Sequence, residues 1–369
     1  MGSFETVVIG GGLVGTAVAY GLAGRGVATA LIDEGDVAHR ASRGNFCLVW
    51  VQGKGDGSPR YAAWARESAE QFPAFASELQ DATGVDVGYS KLGGVKLCFG
   101  DAEMAEREVL LERIKSYPGA ADFEMMDRNA LDDLMPGLGP DVVGASYCTD
   151  DGHCSAPYLL RALHAGFLAR GGHYLNGAGA RQILPRGKGF TLDAGEREIE
   201  TERVILAAGL DNARLAPMVG LQVPIKPNRG QILVTERLQP ILNIPTNFIR
   251  QTQEGSIMIG DSHEDVGFDD GTKAGVMGDI ARYGVRVFPF LAETRIVRVW
   301  GCLRTWPPDG FPIYDRSTPH PGAFVLNCHS GVSLAANHAT RLVEWICNDD
   351  GAPNLDAFST NRFNLGIAA

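Results

Sequence analysis

The order of apolar and polar positions predicts a strand, a turn, a helix and a second strand within the first forty residues. Glu5 to Ile9 reads E-T-V-V-I, a β-branched run suited to a buried strand. Three glycines follow, and then a small-residue apolar stretch from Thr16 to Ala23 that suits a closely packed helix. Gly26 ends it, and V-A-T-A-L-I-D from Val27 to Asp33 makes the second strand. Further on, Tyr61, Trp64, Ala65, Phe72, Phe75 and Leu79 form one stripe of a helix over Arg60 to Ala82, kinked at Pro73. The pattern predicts a hairpin from Val87 to Phe99 with Gly93-Gly94 inside it. A charged helix follows over Asp101 to Tyr117, and a loop at Leu134 to Leu138. Helices are expected at Tyr158 to Arg170 with Ser155 as N-cap, at Gly275 to Phe288 closed by Pro289, and from the last strand to Ile346. Strands are expected at Val204 to Gly209, Ile257 to Gly260, Arg295 to Gly301 and Ala323 to Leu326. No internal repeat or low-complexity tract interrupts this pattern.

The glycines carry chemistry. Gly10-Gly11-Gly12-Leu13-Val14-Gly15 matches GxGxxG inside a complete strand–turn–helix–strand unit ending in an acid. Gly10 permits the tight turn, Gly12 lets a pyrophosphate approach the backbone, and Gly15 allows the helix to pack on the sheet. The helix start offers free N–H groups to the phosphates, and Asp33 can accept hydrogen bonds from ribose hydroxyls. The unit specifies a dinucleotide without separating NAD from FAD.

Charge and composition narrow the partners. The chain of 369 residues has 33 Lys+Arg against 44 Asp+Glu, a net charge of −11, which argues against nucleic acid or an anionic membrane surface. The apolar stretch from Thr6 to Ala23 is broken by glycines, so no transmembrane segment is predicted, and no basic residue precedes Arg25 to make a leader. The 7 cysteines include no CxxC pair, so no metal or cluster is expected on this chain; reduced thiols fit a cytoplasmic location.

After the acid, Ala41-Ser42-Arg43-Gly44-Asn45 forms a small polar loop, and four further segments follow in order. They are D-G-H-C-S-A-P at 151–157, V-I-L-A-A-G at 204–209, P-N-R-G-Q at 227–231 and H-S-G-V-S-L-A at 329–335. Together these resemble the D-amino acid oxidase-like superfamily of FAD-dependent amine and amino acid oxidoreductases. The segment at 151–157 departs from the family's D-G-x-V-D-P pattern. The resemblance implies an α/β fold: a Rossmann-type FAD-binding domain with an inserted α+β substrate domain built on an antiparallel sheet. Residues 1–85, 140–225 and 315–369 are then expected in the FAD-binding domain, and 86–139 with 226–314 in the substrate domain. The expected FAD-binding residues are Gly10, Gly12, Gly15, Asp33, Glu34, Ser42, Arg43, Asn45, Ala208, Gly209, Cys302, Gly331, Val332 and Ser333.

Flavin chemistry of this kind needs a cation for the substrate carboxylate, and Arg binds it bidentately. Trp300-Gly301-Cys302-Leu303-Arg304-Thr305 followed by Pro308-Asp309-Gly310 resembles the corresponding segment of glycine oxidase-like members, which makes Arg304 the expected carboxylate ligand. Cys302 stands near the position of the flavin-bonded Cys of monomeric sarcosine oxidases, but in a C-L-R-T context; a small buried thiol is the favoured alternative. His153 and Cys154 lie where heterotetrameric sarcosine oxidases hold an additional FMN at a subunit interface, and a loop before a helix is the favoured alternative. His329 reads equally as a group at the flavin ring or a turn contact. Asp261 to Asp265 reads as a solvated polar loop, and Trp306 and Trp50 as walls of a pocket or as core.

The chain most resembles β subunits of opine oxidases and D-hydroxyproline dehydrogenases, which implies an α subunit and a small iron–sulfur subunit as partners. The implied reaction oxidises the C–N bond of an amino acid or secondary amine. A self-sufficient glycine- or sarcosine-type oxidase, a flavin-linked 2-hydroxy acid dehydrogenase and an electron-relay subunit are the alternatives.

Overall fold

The computed structural model describes residues 2–35 and 40–363; residues 1, 36–39 and 364–369 of the expected FAD-binding stretches lie outside them. The β-branched first strand, Gly2–Ile9, takes the middle of an eight-stranded sheet. It pairs in parallel with Thr29–Asp33 on one side and Glu198–Leu206 on the other. His173–Asn176 extends one edge and Ala323–Asn327 the other, both in parallel. Ile313–Arg316 closes the latter edge antiparallel, and the hairpin Gln182–Arg186 with Gly189–Asp193 adds to Glu198–Leu206. Successive side chains of a strand point to opposite faces. Val8, Leu31 and Ile205 accordingly pack under the helices Leu13–Gly24, Pro59–Thr83 and Ala156–Ala169, while Val7, Ile9, Ile32 and Val204 enter a second core beneath.

The second unit is antiparallel. Lys226–Arg237 lies between Ser256–Gly260 and Ile296–Trp306, with Ile249–Gln251 outside Ser256–Gly260. Its core joins Leu233, Ile249, Ile257 and Phe288 to Val95 and Ala145 of a three-stranded sheet. That sheet pairs Gly144–Cys148 with both Gly94–Cys98 and Glu124–Asp127.

Several expectations shift here. The residues from 87 to 99 do not close on themselves: Gly94–Cys98 pairs with Gly144–Cys148, while Ser90 bridges His153. Gly144–Cys148, which falls in a stretch expected with the FAD-binding part, is the middle strand of the three-stranded sheet. Strand partners far apart in sequence leave no local signal, which is why the pattern suggested a hairpin. A helix Arg128–Leu134 precedes the expected loop, capped by Asp127, whose carboxylate accepts the Ala130 N–H at 2.9 Å. The terminal helix is split into Ala335–Ala339 and Arg341–Cys347 at Thr340, whose hydroxyl lies 2.8 Å from the Ala336 carbonyl oxygen and competes with the helical ladder. Pro73 sits inside Pro59–Thr83, a helix of 25 residues that runs through it.

Candidate active site

The glycine turn is built by contact between two strand ends. Gly10 has φ +110°, and a Cβ there would stand 2.4 Å from the Ala207 carbonyl oxygen. A Cβ on Gly15 would stand 2.0 Å from the Gly10 carbonyl oxygen, so only glycine lets the helix start this close to the sheet. The Asp33 carboxylate accepts the N–H of Gly11 at 2.7 Å and of Gly35 at 2.9 Å, which ties the second strand to the turn. Ser42 Oγ accepts the Leu13 N–H at the helix start, at 2.9 Å.

A cavity of about 1030 Å³ runs over this turn. Gly10, Gly12, Asp33, Glu34, Ser42, Ala208 and Gly209, all among the residues expected to hold FAD, line it. Arg181, Arg214 and Asn327 line it as well, and no motif singled them out. Neither side-chain polar atom of Asn327 has a hydrogen-bond partner although the residue is buried. Such orphaned atoms need a ligand or water to satisfy them. A bare glycine turn, an acid at the end of the second strand, a long cavity and an unsatisfied amide on its wall together fit FAD. When bound, FAD supplies a two-electron acceptor.

A smaller cavity of about 390 Å³ shares Leu13, Val14, Ser42, Thr305 and Cys328 with the larger one, so the two are adjacent. Asn45, Cys302, Arg304, His329, Gly331, Val332 and Ser333 all line it. Of the expected residues, Gly15 and Arg43 line neither cavity; Gly15 acts through helix packing.

Arg304 is placed by strand register. It stands opposite Asn228, and Cys302 opposite Gly230. A Cβ on Gly230 would stand 2.3 Å from Arg304 Nη2, so this glycine lets the guanidinium lie across the neighbouring strand. Arg304 Nη1 donates to Asn228 Oδ1 and to the Ser262 carbonyl, both at 3.0 Å, and Nη2 pairs with the Asp261 carboxylate. Asp261 and His263, read from sequence as part of a solvated loop, instead line the cavity with Trp306 and Trp50. Sequence position alone could not show that the turn after Ser256–Gly260 folds over the end of Ile296–Trp306.

Burial sets the protonation of this wall. His263, Trp306 and His329 form a row, with ring centroids 5.6 Å and 4.5 Å apart. Desolvation holds His329 well below the usual imidazole range, and Lys54 and Arg304 push it the same way, so it is neutral. Desolvation also pushes the Cys302 thiol up to about 11, against the thiolate that bonding to a flavin requires, which supports the buried-thiol alternative. His153 is buried beside Arg250, 3.4 Å from Nδ1 to Nη1, with its imidazole pushed down to about 3, first by desolvation. That position gives no support to an interface FMN.

A trough over a dinucleotide-type glycine turn, beside a small cavity with a fixed cation, fits a flavin-dependent oxidoreductase. The chain belongs to the family described as FAD dependent oxidoreductase, whose model matches residues 5–345. It is 42% identical to an opine oxidase subunit of Agrobacterium tumefaciens (strain Ach5) over 362 residues, covering 98% of each chain. It is 41% identical to the corresponding opine oxidase subunit of Rhizobium meliloti, again over 98% of each. The crystal structure of glycine oxidase from Geobacillus kaustophilus superimposes with a TM-score of 0.91 at 24% identity, covering 97% of this chain and 98% of that one. The α/β fold with its inserted antiparallel sheet and the FAD cofactor are as the sequence indicated. No helix among the described residues is long and apolar enough to cross a membrane.

Proposed function

We propose that this enzyme oxidises the C–N bond of an amino acid or secondary amine of the opine or D-hydroxyproline class, as the β subunit of a hetero-oligomeric dehydrogenase. The subunit reading is supported by the names of its two relatives, each of which is one subunit of an opine oxidase. The observation that carries the chemistry is Arg304, a cation held by Asn228, Ser262 and Asp261 on the wall of a cavity adjacent to the dinucleotide trough.

In this reading Arg304 binds the substrate carboxylate and fixes the Cα–H toward the trough. Asp261 holds the guanidinium in place and gives the substrate amine a nearby anion. The cavity wall of Trp306, Trp50 and Cys302 excludes water. A hydride leaves Cα for the two-electron acceptor that bound FAD would supply, the nitrogen lone pair forms the C=N bond, and the nitrogen's proton leaves to solvent. Water then splits an acyclic imine into an amine and an oxo acid.

The test is anaerobic bleaching of the flavin by octopine, nopaline, D-hydroxyproline, glycine, sarcosine and 2-hydroxyglutarate. Bleaching by an opine or D-hydroxyproline is the expected result. Bleaching by 2-hydroxyglutarate alone, or by none of them when partner subunits are present, overturns the reading. Admitting air then identifies oxygen as acceptor or excludes it.

A further inference from the structure

Lys54 is absent from every motif read in the sequence, yet it lines the small cavity with Arg304. The loop that presents it is tightly specified. Gly53 and Gly55 on either side have φ +80° and +77°, and a Cβ on Gly55 would stand 2.3 Å from the Ala62 nitrogen. The buried Asp151 carboxylate accepts the Val51 N–H at 2.6 Å and the Gln52 side-chain amide at 2.6 Å, which clamps the loop from beneath. A surface lysine does not need such a frame.

The ammonium has only neutral partners. Nζ donates to Ser330 Oγ at 2.5 Å and lies 3.4 Å from the Tyr61 hydroxyl. Among the described residues no carboxylate lies within ion-pair distance of it, whereas Arg304 is paired with Asp261. Lys54 and Arg304 stand at the two ends of one chain of contacts along the cavity. From Arg304 the chain passes through Asp261, His263, Trp306, His329 and Ser330 to Lys54. Both cations line the same cavity, with His329 on its wall as well. A cationic group with a spare donor, held at a cavity wall without a counter-charge, is complementary to an anion.

We propose that Lys54 is a second carboxylate anchor, and that with Arg304 it selects a secondary amine flanked by two carboxylates over an amine carrying one. This rests on the amine-oxidising reading above and deepens it. One carboxylate meets Arg304, the other meets Lys54, and the nitrogen between them lies along the Trp306–His329 wall. A monocarboxylate leaves Lys54 unused and gains nothing from it.

The experiment compares the flavin-loaded wild type with Lys54→Met, using two matched pairs of ligands. Iminodiacetate and sarcosine differ in one carboxylate, and the rate of anaerobic flavin reduction is read against the concentration of each. Thiodiacetate and (methylthio)acetate differ in the same way but cannot be oxidised, and their binding is read from the shift of the oxidised flavin spectrum. The expected result is that Lys54→Met weakens iminodiacetate and thiodiacetate about 10- to 100-fold and the two monocarboxylates less than about 2-fold. Lys54→Gln, which keeps a donor to Ser330 without the charge, gives the same split and serves if Lys54→Met loses flavin. Equal weakening of all four ligands, or of none, overturns the proposal. If thiodiacetate alone weakens while no amine reduces the wild-type flavin, the anchor stands and the amine-oxidising reading falls.

Discussion

At the scale of single residues, the cavity is governed by which charges are paired. Arg304 is compensated by Asp261 and braced by Asn228 and Ser262, which fixes the orientation of its guanidinium. Arg304→Ala removes the charge-assisted partner proposed for the substrate carboxylate and takes the guanidinium away from Asp261. We expect substrate affinity to fall about 10- to 100-fold or more with flavin content unchanged, read by anaerobic titration. A retained affinity would remove Arg304 from the binding role. Buried histidines act on stability. His338 is fully buried, its Nε2 2.8 Å from the Tyr314 hydroxyl, and desolvation pushes it down to about 3. Its folded pKa lies below the unfolded value of about 6.5, so the unfolded chain binds the extra proton between those limits. Its stabilising contribution is present above about pH 6.5 and is lost as the pH falls toward 3. His338→Gln should flatten the acid limb of stability by about 1.4 kcal/mol per pH unit, measured by urea unfolding at several pH values. An unchanged slope would show that His338 does not carry it.

At the scale of elements, one helix start is fixed by close packing against the sheet. Leu13–Gly24 begins in contact with two strand ends, and the contact passes through Gly15. Gly15→Ala places a methyl 2.0 Å from a backbone oxygen and 3.1 Å from Ala207 Cβ, so the helix must lift from the sheet. We expect a loss of about 1–3 kcal/mol in stability and release of FAD on gel filtration. Full flavin retention would show that the turn can relax. These elements were legible because their signals are local: the glycine spacing, the β-branched strand and the acid lie within Glu5 to Asp33. The three-stranded sheet was not, because Gly94–Cys98 finds its partner about fifty residues later.

At the scale of the whole molecule, a buried network joins the loop under the cavity to the three-stranded sheet. Gln52 Oε1 accepts from Arg107 at 2.9 Å and from Ser146 at 2.7 Å, while the Gln52 side-chain amide donates to Asp151. Burial pushes the Asp151 carboxyl up to about 7, against the donors that favour its charged form. A folded pKa above the unfolded value means that the folded chain holds the extra proton, so this residue's contribution falls as the pH rises from about 4 to about 7. Asp151→Asn abolishes that loss and also leaves a clamp donor badly matched. We expect a variant less stable than wild type at pH 5, with the gap narrowing by up to about 1.4 kcal/mol per pH unit toward pH 7. A constant gap would show that Asp151 stays ionised throughout.

Residue order along the chain was enough for the dinucleotide unit and the family, because the strand, the glycine turn and the acid form one local motif and the other family segments are short. What surrounds them was settled by folding in three dimensions. Asp261 and Lys54 come from loops about two hundred residues apart, and they share a cavity wall because the antiparallel sheet closes over the parallel one. Asn327 follows the strand Ala323 to Leu326 expected from sequence, whereas in the fold it is that strand's last residue, and its unsatisfied amide stands on the trough wall. Charge pairing and burial are properties of neighbours in space, and a pattern along the chain does not contain them.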